Sequence, residues 1–196
     1  MPELPDLTIY VERMNALIGG HSLREISLKS AFVLRTVVPP LKQLVGARLR
    51  TVTRLGKLLV LHFDNDLVLA IHLMIAGRLR WRSGAAKKMI RSEIAIFMFD
   101  HGELSFTEAS AKKRASIHVL ASRKELGTLD RGGIEVLGAT IMNFAAALAR
   151  ENHTVKRALT DPSILSGIGN AYSDEILHAA RLSPVKLTQR LSHEEM

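Results

Sequence analysis

Short apolar runs separated by polar turns fill the chain from Leu58 onward, and their spacing limits the fold more than any other feature. Residues 58–63 lead through Asp64-Asn65-Asp66 into 67–74, residues 93–99 lead through Asp100-His101-Gly102 into 103–107, and a further run covers 116–121. Connections this short reverse a strand onto its neighbour, whereas a parallel crossover needs a dozen or more residues, usually wound into a helix. No helical pattern separates the runs, so antiparallel hairpins stacked as a two-layered β-sandwich or flattened barrel are expected. With 47% hydrophobic residues over 196 positions, the chain has enough apolar surface for a proper core.

Helical patterns lie on either side of this β region. Upstream, Leu7, Tyr10, Val11, Met14, Leu17 and Ile18 recur at helical spacing after Pro5, and Gly19-Gly20 ends the run. Downstream, composition shifts after Gly127; Gly132-Gly133 and Gly138 read as a linker, and from Asn143 the residues Phe144, Leu148, Val155 and Leu159 fall on one buried face. The expected class is α+β. An N-terminal helix plus antiparallel β-sandwich occupies a domain of residues 1–130, followed by an α-helical domain of residues 140–196. Gly84-Ala85-Ala86-Lys87-Lys88 reads as an exposed loop.

Cysteine is absent, which rules out a disulfide framework, a thiolate nucleophile and a cysteine-based zinc site within these residues. No apolar run approaches membrane-spanning length, so a cytoplasmic protein with no membrane partner is expected. The net charge is +8, and because six basic and six acidic residues lie from Asn143 onward, the whole excess precedes that position. Such a face favours a polyanion such as nucleic acid, although the same excess also serves plain solubility.

Two stretches carry more chemistry than the rest. The chain opens MPELPD, and removal of Met1 would leave Pro2 with a free secondary amine. A free α-amine has a reference pKa of ~7.7–8.0, so an appreciable fraction is nucleophilic at neutral pH. The plainer reading is that Pro5 and Asp6 merely begin the helix. In DPSILSGIGNAYSDEIL, starting at Asp161, a helix ending near Thr160 passes through a loop holding Gly167 and Gly169 into a second helix opened by Asn170. Backbone amides at such a helix start bind phosphate. The glycines allow close approach and positive φ, while Asn170 can cap the helix or donate to a phosphate oxygen. An ordinary interhelical turn has the same spelling.

MPELPD, RLGKLLVLHF around Lys57, LAIHLMIAGRLR around His72 and VKRALTDPSILSGIGNAYSDEILHAARLSP stand in this order. Together they resemble the bacterial formamidopyrimidine-DNA glycosylase and endonuclease VIII family over nearly the whole chain. PEL after Met1 is more similar to the formamidopyrimidine branch, which repairs oxidised purines such as 8-oxoguanine. The resemblance implies a β-sandwich, a helix-two-turn-helix domain, and a base-excision-repair DNA glycosylase with AP lyase activity on damaged double-stranded DNA. It implies Pro2 as the nucleophile that forms a Schiff base with the deoxyribose and Glu3 as the acid that protonates the sugar ring oxygen. Lys57, by itself readable as a lysine guarding a strand edge, becomes a catalytic contact to the flanking phosphates. His72, on its own a core histidine, is implied as a phosphate contact with Lys156, Gly169 and Asn170. Arg114, beside Lys112 and Lys113, falls where the family has its void-filling loop. A monomer in the bacterial cytoplasm, associated with the nucleoid, is implied too.

Several positions depart from the family pattern. Asp6 stands where a glutamate is usual, Ile75 stands where a methionine is usual, and Thr-Glu-Ala-Ser-Ala-Lys-Lys-Arg replaces the Asp-x-Arg-x-Phe-Gly pattern. Lesion and opposite-base preference therefore do not carry over. Arg78, Arg80, Arg82, Lys87, Lys88 and Arg91, with Trp81 among them, read as a solvated loop or as DNA contacts. Family members usually bind one zinc in a C-terminal finger. The residues up to Met196 supply no such ligands, so no metal or cofactor is expected in this chain, and a fragment and a branch without that clamp both remain open. The competing reading is a non-catalytic DNA- or RNA-binding protein that keeps the helix-two-turn-helix. Intact Pro2, Glu3 and Lys57 favour the enzyme.

Overall fold

The computed structural model describes residues 1–84 and 91–196; Lys87, Lys88 and most of the expected loop at 84–88 lie outside them. The chain divides into two compact units, one of Met1–Arg54 with Leu58–Leu129 and one of Leu55–Lys57 with Asp130–Met196.

The first unit opens with helix α1 (Leu4–Ile18). Its apolar spacing puts Leu7, Met14 and Ile18 in the core, with Tyr10, Val11 and Leu17 half-buried against it. Eight strands follow: β1 (Leu23–Leu28), β2 (Leu49–Leu55), β3 (Leu58–Phe63), β4 (Val68–His72), β5 (Gly77–Ser83), β6 (Glu93–Phe99), β7 (Gly102–Glu108) and β8 (Ser116–Leu120). They form two four-stranded sheets, ordered β1-β6-β7-β5 and β2-β3-β4-β8. Leu59, Leu61, Leu69 and Ile71 of one sheet share a single core with Phe97, Leu104 and Phe106 of the other. Truncating Phe97 or Phe106 to alanine would cost about 3–5 kcal/mol, since both are fully buried. The sandwich is the expected fold, with β1, β2 and β5 added to the strands legible in the sequence.

Sheet edges present unpaired amides and carbonyls, and most of the edges here are met by other parts of the chain. At β8, the Arg35 N–H donates to the Ile117 carbonyl at 2.8 Å, and Thr36 Oγ1 accepts from the Val119 N–H at 2.7 Å. At β2, Asn15 accepts from the Val52 N–H and donates to the Val52 carbonyl, both at 2.8 Å. At the start of β1, Leu23 exchanges hydrogen bonds with Gly46 and Ala47 at 2.7 and 2.9 Å. Strand β5 ends its sheet, paired with β7.

That fourth edge overturns the loop reading of the basic stretch for Arg78, Arg80 and Arg82. Leu79 and Trp81 alternate inward while Arg78 and Arg80 point away, so the segment is a strand in spite of its charge. Arg82 lies opposite Glu103 and makes ion pairs with the buried carboxylates of Glu103 and Glu93, and the Ser105 hydroxyl donates to Glu93 at 2.9 Å.

The second unit holds α2 (Ile141–Ala149), α3 (Val155–Thr160) and α4 (Asn170–Ala179). Leu148, Val155, Leu159, Ile164, Leu165 and Leu177 make its core. Thr140 and Thr154 cap α2 and α3 through their hydroxyls. The glycine-rich segment 132–138 does not run as a loose linker. Gly133 donates to the Pro162 carbonyl, and β9 (Ile134–Glu135) pairs in parallel with β10 (Leu165–Ser166). A Cβ at Gly133 would sit 2.5 Å from the Pro162 oxygen, which explains the glycine. Among the described residues, no helix is long and apolar enough to cross a membrane.

Candidate active site

Pro2 and Glu3 are both buried ahead of α1, and Glu3 is its N-cap residue. The Glu3 side chain accepts from the Asp6 N–H, while Asp6 Oδ2 accepts from the Glu3 N–H at 2.9 Å, a reciprocal capping box. Asp6, whose role the family comparison left open, thus fixes the backbone that carries Glu3. The shorter acid suffices because the box needs one oxygen over one amide.

Lys57 occupies the two-residue turn between β2 and β3, half-buried, rather than an edge strand. Gly56 takes φ +56° and Lys57 does not take a positive φ, the pattern of a type II′ hairpin, which requires glycine first. The turn places the lysine at a hairpin tip. His72 ends β4, and its Nδ1 accepts from the Met74 N–H at 3.0 Å. In the neutral ring the proton therefore sits on Nε2, a donor suited to a phosphate oxygen.

Arg114 is exposed, and its backbone is held from below. The Glu108 carboxylate, 1% exposed, accepts from the N–H groups of Arg114 and Ala115, at 2.9 Å for Arg114, while the Lys113 ammonium caps the Glu108 carbonyl. Glu108 was not singled out from the sequence. An acid closing an alternating strand was its only signal.

In the second unit, Asp161 shapes the turn that leads to the glycines. Its carboxylate accepts from the hydroxyl and the N–H of Ser163, which hold it below the usual carboxylate range. Gly167 takes φ +83°, as expected, whereas Gly169 is extended. Gly169, not Asn170, is the N-cap of α4; Asn170 is exposed at the first helical position, so the capping role expected for it is not observed. Lys156 Nζ lies 2.6 Å from Asp174 in an exposed ion pair. The pairing holds the ammonium near the first turns of α4. Among the described residues, no three His, Asp or Glu side chains converge into a metal-ligand set.

Residues 1–114 match the formamidopyrimidine-DNA glycosylase N-terminal domain, and residues 136–196 match the H2TH domain of the same proteins. The chain belongs to the formamidopyrimidine-DNA glycosylase family. Among its relatives, the formamidopyrimidine-DNA glycosylase of Heliobacterium modesticaldum is 31% identical, the match covering all of this chain and 73% of that protein. The enzyme of that name from Moorella thermoacetica is 28% identical over the same shares. The fold matches Lactococcus lactis Fpg in complex with DNA containing an abasic site, with a TM-score of 0.87 at 23% identity over 98% of this chain and 72% of the other. A MutM structure with DNA containing carbocyclic 8-oxo-G gives a TM-score of 0.88 at 22% identity, over 99% and 73%. Family membership makes this a base-excision-repair glycosylase.

Proposed function

We propose that the chain removes an oxidised purine from duplex DNA and cuts the strand at the resulting site, with Pro2 as nucleophile. The observation that carries this reading is the reciprocal lock between Glu3 and Asp6, which sets a buried proline and a buried carboxylic acid side by side at the N-terminus. Once Met1 is removed, the Pro2 nitrogen is a secondary amine. Its lone pair attacks C1′ of the deoxyribose as the bond from C1′ to the base breaks; the base takes a proton from water, and the hydroxide so formed removes the proton from the attached nitrogen. Glu3 protonates the ring oxygen, the sugar opens, and a cationic imine forms between Pro2 and C1′. A secondary amine cannot shed that charge by losing a proton from nitrogen, so the C2′ hydrogen becomes acidic. Its loss expels the 3′ phosphate, a second elimination expels the 5′ phosphate, and water then releases Pro2.

Lys57 and the Nε2–H of His72 hold phosphate oxygens and stabilise the charge that builds on the leaving phosphates. Lys156, Gly169 and Asn170 grip backbone phosphate, where the start of α4 favours an anion. Arg114 adds a cation on its fixed loop.

Borohydride reduction tests the imine. Met1-free protein with a duplex holding an abasic site or 8-oxoguanine should give a covalent adduct that maps to Pro2. An equal yield from N-terminally blocked protein would overturn the assignment, because a blocked amine cannot form the imine.

A further inference from the structure

Helix α1 meets two sheet edges and treats them differently. At β2, the Asn15 side chain closes on both backbone groups of Val52. Toward β5 the helix stands off, leaving a groove of about 330 Å³ walled by Ile9, Tyr10, Leu17, Leu79, Trp81 and Leu104. Ile9 is 61% exposed on its rim. Charge surrounds this apolar trough unevenly. Arg13 lines it; Asp6, its one acidic lining residue, is occupied by the Glu3 N–H. On the opposite face of β5, Arg78 and Arg80 are exposed, while the charge of Arg82 is taken up by Glu93 and Glu103.

A terminal strand with an apolar trough on one face and arginines on the other fits one kind of neighbour, a strand whose side chains alternate in the same way. We propose that β5 receives an extended segment of a partner protein in which apolar residues alternate with carboxylates. The apolar side chains enter the groove between α1 and β5, the carboxylates meet Arg78 and Arg80, and the backbones pair along the strand. A second copy of this chain is a poor occupant, because pairing β5 with β5 sets arginine against arginine. DNA is poorer still. Phosphates leave an apolar groove unfilled, and the proposed catalysis does not use this face.

The test exploits Trp81, the single tryptophan of the chain, which stands in the groove wall. A nine-residue peptide of alternating valine and glutamate, with blocked ends, is titrated into the full chain while Trp81 fluorescence and heat of binding are followed. A saturable change in both is expected. Ile9→Glu should weaken binding at least about tenfold, since the apolar burial at the rim is lost. Arg80→Glu should reject the glutamate peptide and accept its valine–lysine counterpart, a swap that a merely misfolded variant would not show. Borohydride trapping should be unchanged in Ile9→Glu, which separates failure here from failure of the proposed catalysis. The proposal is overturned if Trp81 does not respond, if Ile9→Glu binds as well as the parent, if a duplex oligonucleotide gives the same Trp81 change, or if the change follows protein concentration alone.

Discussion

Helices α1 and α4 begin in opposite ways. The first turn of α1 is closed by its own carboxylates, with Glu3 and Asp6 each bound to the other's amide. At α4 the N-cap is a glycine with no side-chain cap, the first turn carries no acid, and the nearest carboxylate along the helix, Asp174, is paired with Lys156. A helix start carries a partial positive charge. The first unit meets that charge from within and thereby fixes the Glu3 carboxyl beside Pro2. The second unit keeps its acids away from the same position, where an anion is favoured. Under the proposed function, one helix start holds the proton donor and the other faces a phosphate.

The largest expected effect tests the first half of that contrast. Glu3→Gln keeps an oxygen for the cap but supplies no proton, so single-turnover excision should fall on the order of 10²–10⁴-fold with duplex affinity and melting temperature nearly unchanged. If the variant kept parental rates, the acids of α1 would be caps only. Next, Asn170→Asp places a carboxylate in the first turn of α4. Duplex affinity should drop about tenfold at low salt and less at high salt, because the new charge opposes phosphate. The same change should stabilise the helix by about 0.3–1 kcal/mol, so weaker binding with a higher melting temperature is the signature. Lys57→Ala should reduce the magnitude of the salt slope by about 1 without altering base preference. Asp174→Asn, which releases Lys156 from an exposed pair, should tighten duplex binding only about two- to threefold.

Acidification gives the smallest effect and again separates the units. Burial, aided by Arg123, pushes His62 below its ordinary pKa of 6.5, and burial with Arg35 does the same to His118. Both rings bind a proton less readily folded than unfolded. Their contribution is complete above 6.5 and is lost as pH falls through that value toward the depressed one. In the second unit the Ser163 hydroxyl and N–H hold Asp161 below its ordinary 3.8, so its contribution survives until the pH falls through that lower range. Hydrogen exchange followed from pH 7 to pH 5 should show the first unit loosening before the second, and His62→Gln should reduce the difference.

What the sequence revealed was local. Helix α1 follows from apolar residues at helical spacing, and the β6–β7 hairpin from two short strand-like runs around Asp100-His101-Gly102. Positions whose role depends on a distant partner stayed hidden. Arg82 resembles any solvated arginine until the sheet brings Glu93 and Glu103 to it. Glu108 matters through Arg114 and Ala115, beyond a turn whose geometry no local pattern gives. The cap of α4 shifted by one residue because Gly169 already takes the extended conformation that an N-cap needs, leaving Asn170 inside the helix. The Glu3–Asp6 box was within reach, since acids three residues apart around a helix start are a local pattern.

The parallel pair β9–β10 bears on how this module can be moved between proteins. Glu135 accepts from the Ser166 hydroxyl across 31 residues of chain, just ahead of Gly167 and Gly169. A graft cut at residue 140 would transplant the loop and its helices while leaving Leu165 and Ser166 with no strand to lie against. The portable piece has to begin before Gly133, even though the glycines of 132–138, read as letters, invite a cut among them.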